Sequence, residues 1–268
     1  MTQTKTFNAE AVNAHIVNWL KDYATKAGVK GFVVGISGGI DSALTSTLCA
    51  QTGFPTLCVE MPIHQAENQV LRGEEHIQFL LSKFKNVSRA KADLTQSYDV
   101  LANALPSIEN IDQLNLTLAN TRARLRMTTL YYFAGIHGYL VAGTGNKVED
   151  FGVGFFTKYG DGGVDISPIA DLLKSEVRLV AQYLGVATSI IKAKPTDGLF
   201  GDDRSDEDQL GANYDELEEA MIAYENGAKV EDFEGRKQEV FKIYTRLNRI
   251  NQHKMQPIPV CYIENIIK

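Results

Sequence analysis

The chain has 268 residues, 44% hydrophobic and 22% charged, with a formal net charge of −6. This composition excludes collagen-like, disordered and small disulfide-stapled proteins, and the length allows one or two domains. Three cysteines without C-x-x-C spacing give no basis for a zinc site or a disulfide framework. No apolar run approaches the ~18 residues of a membrane span, and the first ten residues are polar, so we expect a soluble cytoplasmic protein that does not bind membranes.

In the first half of the chain, short apolar segments alternate with longer helical patterns. Strands are predicted at residues 31–36, 55–61, 85–90 and 139–142, and helices at residues 43–51, 67–84 and 117–136. Apolar strands separated by helices are typical of a parallel sheet covered on both faces. The sequence therefore predicts an α/β fold, in which residues 1–268 form a single domain with a doubly wound, mostly parallel sheet flanked by helices.

The second half of the chain is predicted to be mainly helical. Residues 169–184 carry one apolar stripe at three- and four-residue spacing, which predicts a helix. Ser167 and Pro168 are expected to begin this helix, and Gly185 to end it. Two further helices are predicted at about residues 206–226 and 235–252.

Charge is distributed unevenly along the chain. Residues 197–239 hold 15 acidic and 4 basic side chains, so the other residues have a slight basic excess. One interpretation is a solvated acidic helix face with a loop. The other is that the remaining residues keep a basic bias because they bind anionic ligands. The sequence contains no dense basic stripe, so nucleic acid is not an expected partner.

The junction after the first predicted strand carries the clearest chemical signal. Adjacent glycines let the backbone approach a ligand, serine hydroxyls add donors, and the start of the following helix favours a phosphate. A carboxylate beside phosphates would repel them, so Asp41 indicates a bridging divalent cation. The alternative is an ordinary tight turn in which Asp41 or a serine caps the helix. The residues of this loop are Gly35, Ile36, Ser37, Gly38, Gly39, Ile40, Asp41 and Ser42.

The loop matches neither of two common nucleotide-binding patterns, because no lysine follows its glycines and its spacing is not G-x-G-x-x-G. Instead, SGGIDS at residues 37–42 resembles the signature of the ATP pyrophosphatase superfamily, whose members cleave ATP between the α and β phosphates and transfer AMP to an oxygen. Later stretches are similar to the ammonia-dependent NAD synthetases within that superfamily. They are TRARLRM at 121–127, GTGNKVE at 143–149, GFFTKYGDGGVD at 154–165, KPT at 194–196, the Asp206-Glu207, Leu210-Gly211 and Tyr214-Asp215 pairs, and His253-Lys254.

The resemblance runs from about residue 30 to residue 255 and implies roles for individual positions. The glycine loop, Thr144, Lys174 and Thr196 are expected to bind ATP, with Lys174 reaching its phosphates. Asp41 and Glu149 are expected to bind Mg²⁺. The positions expected to hold deamido-NAD are Arg124, Lys158, Asp165, His253 and Lys254.

Two features depart from the family pattern. Met61 stands where some members have an arginine near ATP, and the loop Leu199–Asp203 differs from the relatives.

Two of the positions implied by the resemblance also have a common structural alternative. Lys158 lies in a glycine-rich stretch that is either a mobile surface loop or a lid that excludes water. Lys174 follows an apolar pair on the predicted helix, where a surface lysine is the common outcome.

The resemblance implies a ligase that forms a C–N bond. The carboxylate of deamido-NAD attacks the α-phosphorus of ATP, and ammonia then displaces AMP from the acyl adenylate to give NAD. The expected catalytic residues are Asp41, Lys174 and Asp165, the last of which would bind or deprotonate ammonium. A glutamine-using form needs a second active site on an added domain of a few hundred residues. The synthetase motifs already extend from about residue 31 to residue 254, so we expect no such domain, and free ammonia is the expected donor unless another subunit supplies it. Family members are typically homodimers, and we expect one here.

Two other functions remain open at this stage. A tRNA-modifying ligase of the same superfamily would need paired cysteines or an added basic module, and the sequence shows neither. A sensor that binds ATP without turnover would not require two metal-binding carboxylates, whereas Asp41 and Glu149 are both present.

Overall fold

A four-stranded parallel sheet forms the centre of the molecule. The computed structural model describes residues 7–196 and 205–263. Its strands are β1 (Phe32–Gly35), β2 (Thr56–Glu60), β3 (Val87–Lys91) and β4 (Leu140–Val141), and their order across the sheet is β3-β2-β1-β4. Phe32 of β1 pairs with Thr56 on one side and Leu140 on the other. The chain places β2 and β3 on one side of β1 and then crosses to place β4 on the other side. Ligands bind at the carboxyl ends of the strands where such a change occurs, so the carboxyl end of β1 is the expected ligand-binding edge.

Helices cover both faces of this sheet. Their bounds are α1 (Ala9–Ala27), α2 (Ile40–Gln51), α3 (Glu67–Lys83), α4 (Thr95–Ala104), α5 (Ile111–His137), α6 (Lys174–Tyr183), α7 (Thr188–Ile191), α8 (Asp206–Leu210), α9 (Tyr214–Glu225) and α10 (Gly235–Met255). A π-helix spans Val148–Val153, and a short 3₁₀ turn spans Val230–Asp232. None of the helices in the described ranges is long and apolar enough to cross a membrane.

The strands divide their side chains between two apolar cores. Phe32 and Val34 of β1 pack with buried residues of α1, α2, α3 and α6. Val33, with Leu57 and Val59 of β2, packs on the opposite face against α5. This alternation is the period-two pattern of a strand buried on both sides. The prediction of a doubly wound α/β sheet is therefore confirmed.

A third apolar cluster lies beside the sheet and supports the π-helix. It joins α9 and α10 to Val148 and Val153, with Tyr214 and Tyr244 among its fully buried side chains. Asn248 of α10 donates to the Gly152 carbonyl over 2.7 Å, which pairs a carbonyl of the π-helix. This packing fixes the segment that carries Glu149.

The structure corrects the predicted start of the 169–184 helix. The apolar residues Ile169 and Leu172 are buried as expected, but α6 begins only at Lys174. The carbonyl of Leu172 accepts from Lys147 N at 2.9 Å, so it takes a partner outside the helix. The capping interaction runs from Leu173 N to the Glu176 side chain, not from Ser167.

The predicted 206–226 helix is also interrupted. Gly211 adopts a left-handed conformation with φ +79°, which ends α8, and the Asn213 side chain caps the start of α9. The acidic stretch is only partly a solvated face, because Asp206 and Glu218 are buried. The Leu199–Asp203 loop, where the sequence departs from the family, lies outside the described residues.

Candidate active site

The glycine loop connects β1 to α2 at the carboxyl edge of the sheet. Gly38 has φ +81°, and a Cβ atom there would lie 2.4 Å from the Gln69 carbonyl oxygen, so this position requires glycine. The hydroxyls of Ser37 and Ser42 lie 3.1 Å apart and brace the loop. The α2 N-cap is Gly39, which places no side chain over the first turn of the helix. The loop therefore has the form of an anion-binding helix start.

Three charged side chains converge beside this loop. Lys174 Nζ lies 2.6 Å from Asp41 Oδ2 and 2.9 Å from Glu149 Oε1. The Lys174 side chain is only 3% exposed. The alternative of a surface lysine is therefore wrong. The structure brings Lys174, which the resemblance assigned to the ATP phosphates, together with Asp41 and Glu149, which it assigned to Mg²⁺.

Neighbouring polar groups hold these side chains in place. Asn146 is fully buried; its amide donates to Asp41 Oδ1 at 3.2 Å, and its side-chain oxygen accepts from Glu149 N at the same distance. Tyr214 donates its hydroxyl to Glu149 Oε1. The ammonium of Lys174 lies 4.7 Å from the centroid of the Tyr214 ring, within the range of a cation–π contact.

The cluster controls the charge of its members. Burial lowers the pKa of Lys174, but Asp41 and Glu149 outweigh burial and raise that pKa above its ordinary value. Burial also disfavours the charge on Glu149, yet the Lys174 ammonium and the Tyr214 hydroxyl lower the pKa of that carboxyl. Lys174 is therefore a fixed positive charge, and Glu149 stays ionised beside it.

A cavity of about 290 Å³ opens in front of the cluster. Its lining includes the whole glycine loop, together with Thr144, Glu149, Lys174 and Thr196. All the residues that the sequence assigned to ATP and the metal thus border one space. Other parts of the wall include the end of β2, α3, α5 and residues of the 160–164 and 190–196 segments.

The carboxylate pair suits Mg²⁺ that arrives with a phosphate ligand. Two oxygen donors, from Asp41 and Glu149, lie within 2.9 Å of one point, the Lys174 nitrogen. Among residues 7–196 and 205–263, no group of three or more acidic, histidine or cysteine side chains is placed to hold a metal ion by itself. Mg²⁺ commonly takes one or two carboxylates and completes its shell with phosphate oxygens and water.

Three of the residues expected to hold deamido-NAD form a contiguous group outside the cavity lining. Arg124 on α5 donates to the Lys158 carbonyl at 3.3 Å, and the Lys158 ammonium donates to the His253 carbonyl. Lys254 ties α10 to the neighbouring loop through the carbonyls of Gly154 and Phe156, at 2.7 and 2.8 Å. The positions are assembled, and their role in binding stays a prediction.

Asp165 is placed differently from the expectation for an ammonium-binding residue. Its two carboxylate oxygens accept from the Tyr131 hydroxyl at 2.9 Å and from Val141 N at 2.8 Å, and it does not line the cavity. Asp161, four residues earlier, does line the cavity and accepts from Thr157 N at 2.9 Å. The structure places Asp161, and not Asp165, in the cavity lining. The catalytic and deamido-NAD-binding roles expected for Asp165 stay predictions.

An arginine reaches the position where Met61 departs from the family. Arg126 of α5 donates from Nε to the Met61 carbonyl at 3.0 Å and from Nη2 to the Gln65 side chain at 2.8 Å. Met61, Gln65 and Arg126 all line the cavity. Sequence reasoning assigned no role to Arg126, Asn146 or Tyr214, although all three lie within stretches that carry the family resemblance.

Comparisons with known proteins show which sequences and folds this chain resembles. The family model described as NAD synthase matches residues 12–258. The chain is 37% identical over 249 residues to the NH(3)-dependent NAD(+) synthetase of Carboxydothermus hydrogenoformans, covering 92% of this chain and 95% of that protein. A solved structure of an NMN synthetase from Francisella tularensis superimposes with a TM-score of 0.82 at 28% identity, covering 96% and 99% of the two chains. An NH3-dependent NAD synthetase from Campylobacter jejuni gives 0.77 at 22% identity, with 96% and 100% covered, and supports the fold.

Proposed function

The chain belongs to the NAD synthase family, and from this premise we propose that it amidates deamido-NAD with ammonia. This is an ATP-dependent ligase reaction that forms a C–N bond and completes NAD synthesis. The observation that carries the proposal is the convergence of Asp41, Glu149 and Lys174 beside a glycine loop at the carboxyl edge of the sheet.

The first step activates the nicotinate carboxylate. One carboxylate oxygen attacks the α-phosphorus of ATP, the bond between the α-phosphorus and the bridging oxygen breaks, and pyrophosphate leaves. The Gly35–Ser42 loop and the start of α2 hold the departing phosphates, and the buried Lys174 ammonium stabilises the charge that develops on them. Asp41 and Glu149 would hold Mg²⁺, which when bound would neutralise phosphate charge.

The second step forms the amide. Ammonium first loses a proton, and the nitrogen of ammonia attacks the acyl carbon of the adenylate. AMP then leaves with the oxygen that came from the carboxylate, and the nitrogen gives up a second proton. We propose Asp161, which faces the cavity, as the carboxylate that attracts ammonium, in place of Asp165. The cavity walls must exclude water during this step because the adenylate would otherwise hydrolyse.

A product assay tests the proposal. The purified protein is given ATP, Mg²⁺ and deamido-NAD whose carboxylate carries ¹⁸O, with either ammonium or glutamine as the nitrogen source. We expect NAD, AMP and pyrophosphate in equal amounts with ammonium, little product with glutamine, and ¹⁸O in the AMP phosphate. Absence of ATP cleavage would refute the function, and ¹⁸O-free AMP would refute the acyl adenylate.

A second candidate substrate follows from the neighbour named NMN synthetase, whose fold matches over nearly the full length of both chains. The acid that corresponds to NMN is nicotinate mononucleotide, which presents the same carboxylate but lacks the adenylate half of deamido-NAD. The same assay with both acids at equal concentration discriminates between them. A higher kcat/KM for deamido-NAD supports the first proposal, and a higher value for the mononucleotide replaces it.

We also propose that the chain forms a homodimer through α5. This 27-residue helix buries only Ala119, Ala123 and Ala134, while Ile111, Leu116, Tyr132 and Ile136 are each more than half exposed. Tyr132 and Ile136 are four residues apart and so lie on the same face of α5, where a contiguous exposed apolar patch marks a candidate interface. Analytical ultracentrifugation should give the mass of two chains. Tyr132→Glu should shift the equilibrium toward monomer, whereas a wild type that sediments as a monomer contradicts the proposal.

A further inference from the structure

Tyr214 contacts two members of the charged cluster at once. Its hydroxyl donates to Glu149 Oε1, the oxygen that also accepts from Lys174 Nζ at 2.9 Å. Its ring lies 4.7 Å from the same ammonium. The side chain is fully buried, and its hydroxyl also lies 3.5 Å from Asp206 Oδ2. Tyr214 belongs to a motif that carried the family resemblance but received no role from it.

We propose that Tyr214 is a positioning residue, whose hydroxyl fixes the Glu149 carboxylate and whose ring fixes the Lys174 ammonium in the orientation that meets the metal-bound phosphates. The inference rests on the proposed function, since the phosphates and Mg²⁺ belong to it. Tyr214 touches neither of them directly in this scheme. It acts through Glu149 and Lys174, as outer-shell hydrogen bonds commonly orient metal-binding carboxylates.

The backbone around Glu149 explains why such support is needed. Glu149 lies in the π-helix Val148–Val153, whose wider turns are often found at functional sites. Asn146 holds the backbone nitrogen of Glu149 at 3.2 Å. A glutamate side chain fixed at its backbone retains several rotatable bonds. The Tyr214 hydroxyl removes part of that freedom at the carboxylate itself.

The placement of Tyr214 on α9 gives the second half of the inference. Tyr214 is the first residue of α9, and Glu218 lies one turn later on the same face. Glu218 accepts from the Ser175 backbone nitrogen at 2.8 Å and from the Ser175 hydroxyl at 2.7 Å. Because Ser175 follows Lys174, α9 holds the start of α6 at its backbone through Glu218 and at the lysine side chain through Tyr214.

The test compares two buried tyrosines of the same apolar cluster. Tyr214→Phe removes the hydroxyl and keeps the ring beneath Lys174. Tyr244→Phe is the matched control, because Tyr244 is 1% exposed and also borders the π-helix, at Gly152. Among the described residues, the contacts of Tyr244 include none to Asp41, Glu149 or Lys174. Both variants keep the volume of the core, and each loses one hydrogen bond of a buried hydroxyl, to Glu149 in one case and to Asn248 in the other. Both should therefore fold, each with a loss of about 1–3 kcal/mol in the free energy of unfolding.

Mn²⁺ binding provides a measurement that does not depend on turnover. Each protein is titrated with Mn²⁺ in the presence of α,β-methylene-ATP, and free Mn²⁺ is followed by electron paramagnetic resonance. We expect Tyr214→Phe to weaken Mn²⁺ binding by about tenfold or more, a loss typical of an outer-shell change, and Tyr244→Phe to match the wild type. In steady-state assays, Tyr214→Phe should raise the Mg²⁺ concentration needed for half-maximal rate while the KM for deamido-NAD stays unchanged.

The outcomes separate this inference from the proposed function. If the wild type forms NAD but the two variants bind Mn²⁺ equally well, Tyr214 has no positioning role and the proposed function stands. If the wild type forms no NAD, the proposed function fails, and the Mn²⁺ titrations still decide whether Tyr214 orients the carboxylate. A wild type that does not bind Mn²⁺ with the ATP analogue overturns the inference as well.

Discussion

Replacing Lys174 with methionine removes the positive charge of the cluster and keeps a side chain of similar length. Asp41 and Glu149 then face each other without the ammonium that lies 2.6 and 2.9 Å from them. Their side chains are 18% and 16% exposed, so water compensates for little of the repulsion. We therefore expect Lys174→Met to destabilise the fold in the absence of divalent metal.

The size of this effect follows from the burial of the pair. Removing one partner of a buried ion pair costs about 3–5 kcal/mol, and the partial exposure of both carboxylates favours the lower value. For a chain of this length, a loss of about 3 kcal/mol corresponds to a fall of about 5 °C in the unfolding midpoint. Turnover should fall by about 10²-fold or more because the charge that faces the phosphates is lost.

Thermal unfolding with and without Mg²⁺ measures the stability that Lys174→Met loses and the part of it that a divalent cation restores. A divalent cation can replace the missing positive charge, so Mg²⁺ at ten times its dissociation constant should restore about 1.4 kcal/mol of stability to the variant. Lys147→Met is the control, since Lys147 also has two acidic partners, but at 3.6 and 3.7 Å and at the surface. That change should cost under about 1 kcal/mol. Equal destabilisation of the two variants, or no response of Lys174→Met to Mg²⁺, would refute the reasoning.

Three further predictions concern the elements around the site. His76 is buried against Ser46, and burial lowers its pKa to about 4, so the unfolded chain takes up a proton at this histidine before the folded chain does as the pH falls below 6.5. Between pH 7 and pH 5, the free energy of unfolding measured in urea should therefore fall by about 2 kcal/mol more for the wild type than for His76→Gln. Equal losses in the two proteins would contradict this prediction. Gly38→Ala places a Cβ 2.4 Å from the Gln69 carbonyl oxygen. Gly53→Ala is the control, because Gly53 has a similar φ of +80° but a Cβ there meets no atom within 4 Å, so the substitution adds backbone strain alone. Calorimetric titration should show loss of ATP-analogue binding for Gly38→Ala only. Glu218→Leu removes the two carboxylate oxygens that accept hydrogen bonds from Ser175, and should lower the free energy of unfolding by about 1–3 kcal/mol. Hydrogen-exchange measurements should then show faster exchange of the α6 amides. Unchanged exchange would show that Glu218 does not hold α6.

The alternation of strands and helices could be predicted because it depends on local pattern. The buried strands β1 and β2 are short apolar runs, and the Gly38-Gly39 turn marks the junction at which the glycine loop forms. The strand predicted at residues 85–90 is present at Val87–Lys91. The sequence analysis did not predict the helices α1, α4 and α7. Of these, α4 buries only Tyr98 among its ten residues, and α7 has only four residues.

The errors in the predicted 169–184 and 206–226 helices come from specific backbone interactions, which helical periodicity does not register. An apolar stripe at residues 169–173 satisfies helical spacing, but the Leu172 carbonyl bonds to Lys147 N, so the chain there turns instead of coiling. Likewise, the break between α8 and α9 depends on Gly211 in a left-handed conformation and on the Asn213 cap. Gly211 and Asn213 are both visible in the sequence, yet continuous helical periodicity on either side outweighed them.

The burial of Lys174 shows the same limit at the level of the site. Its neighbours in sequence favour a surface position, and only Asp41, 133 residues away, and Glu149, 25 residues away, make a buried ammonium favourable. Each of the three side chains alone would carry a large cost of burial. Together, with Asn146 and Tyr214 supplying hydrogen bonds, they form a stable and charged centre. A motif can therefore identify the members of such a site, but the stability of its charges is a property of the assembled fold.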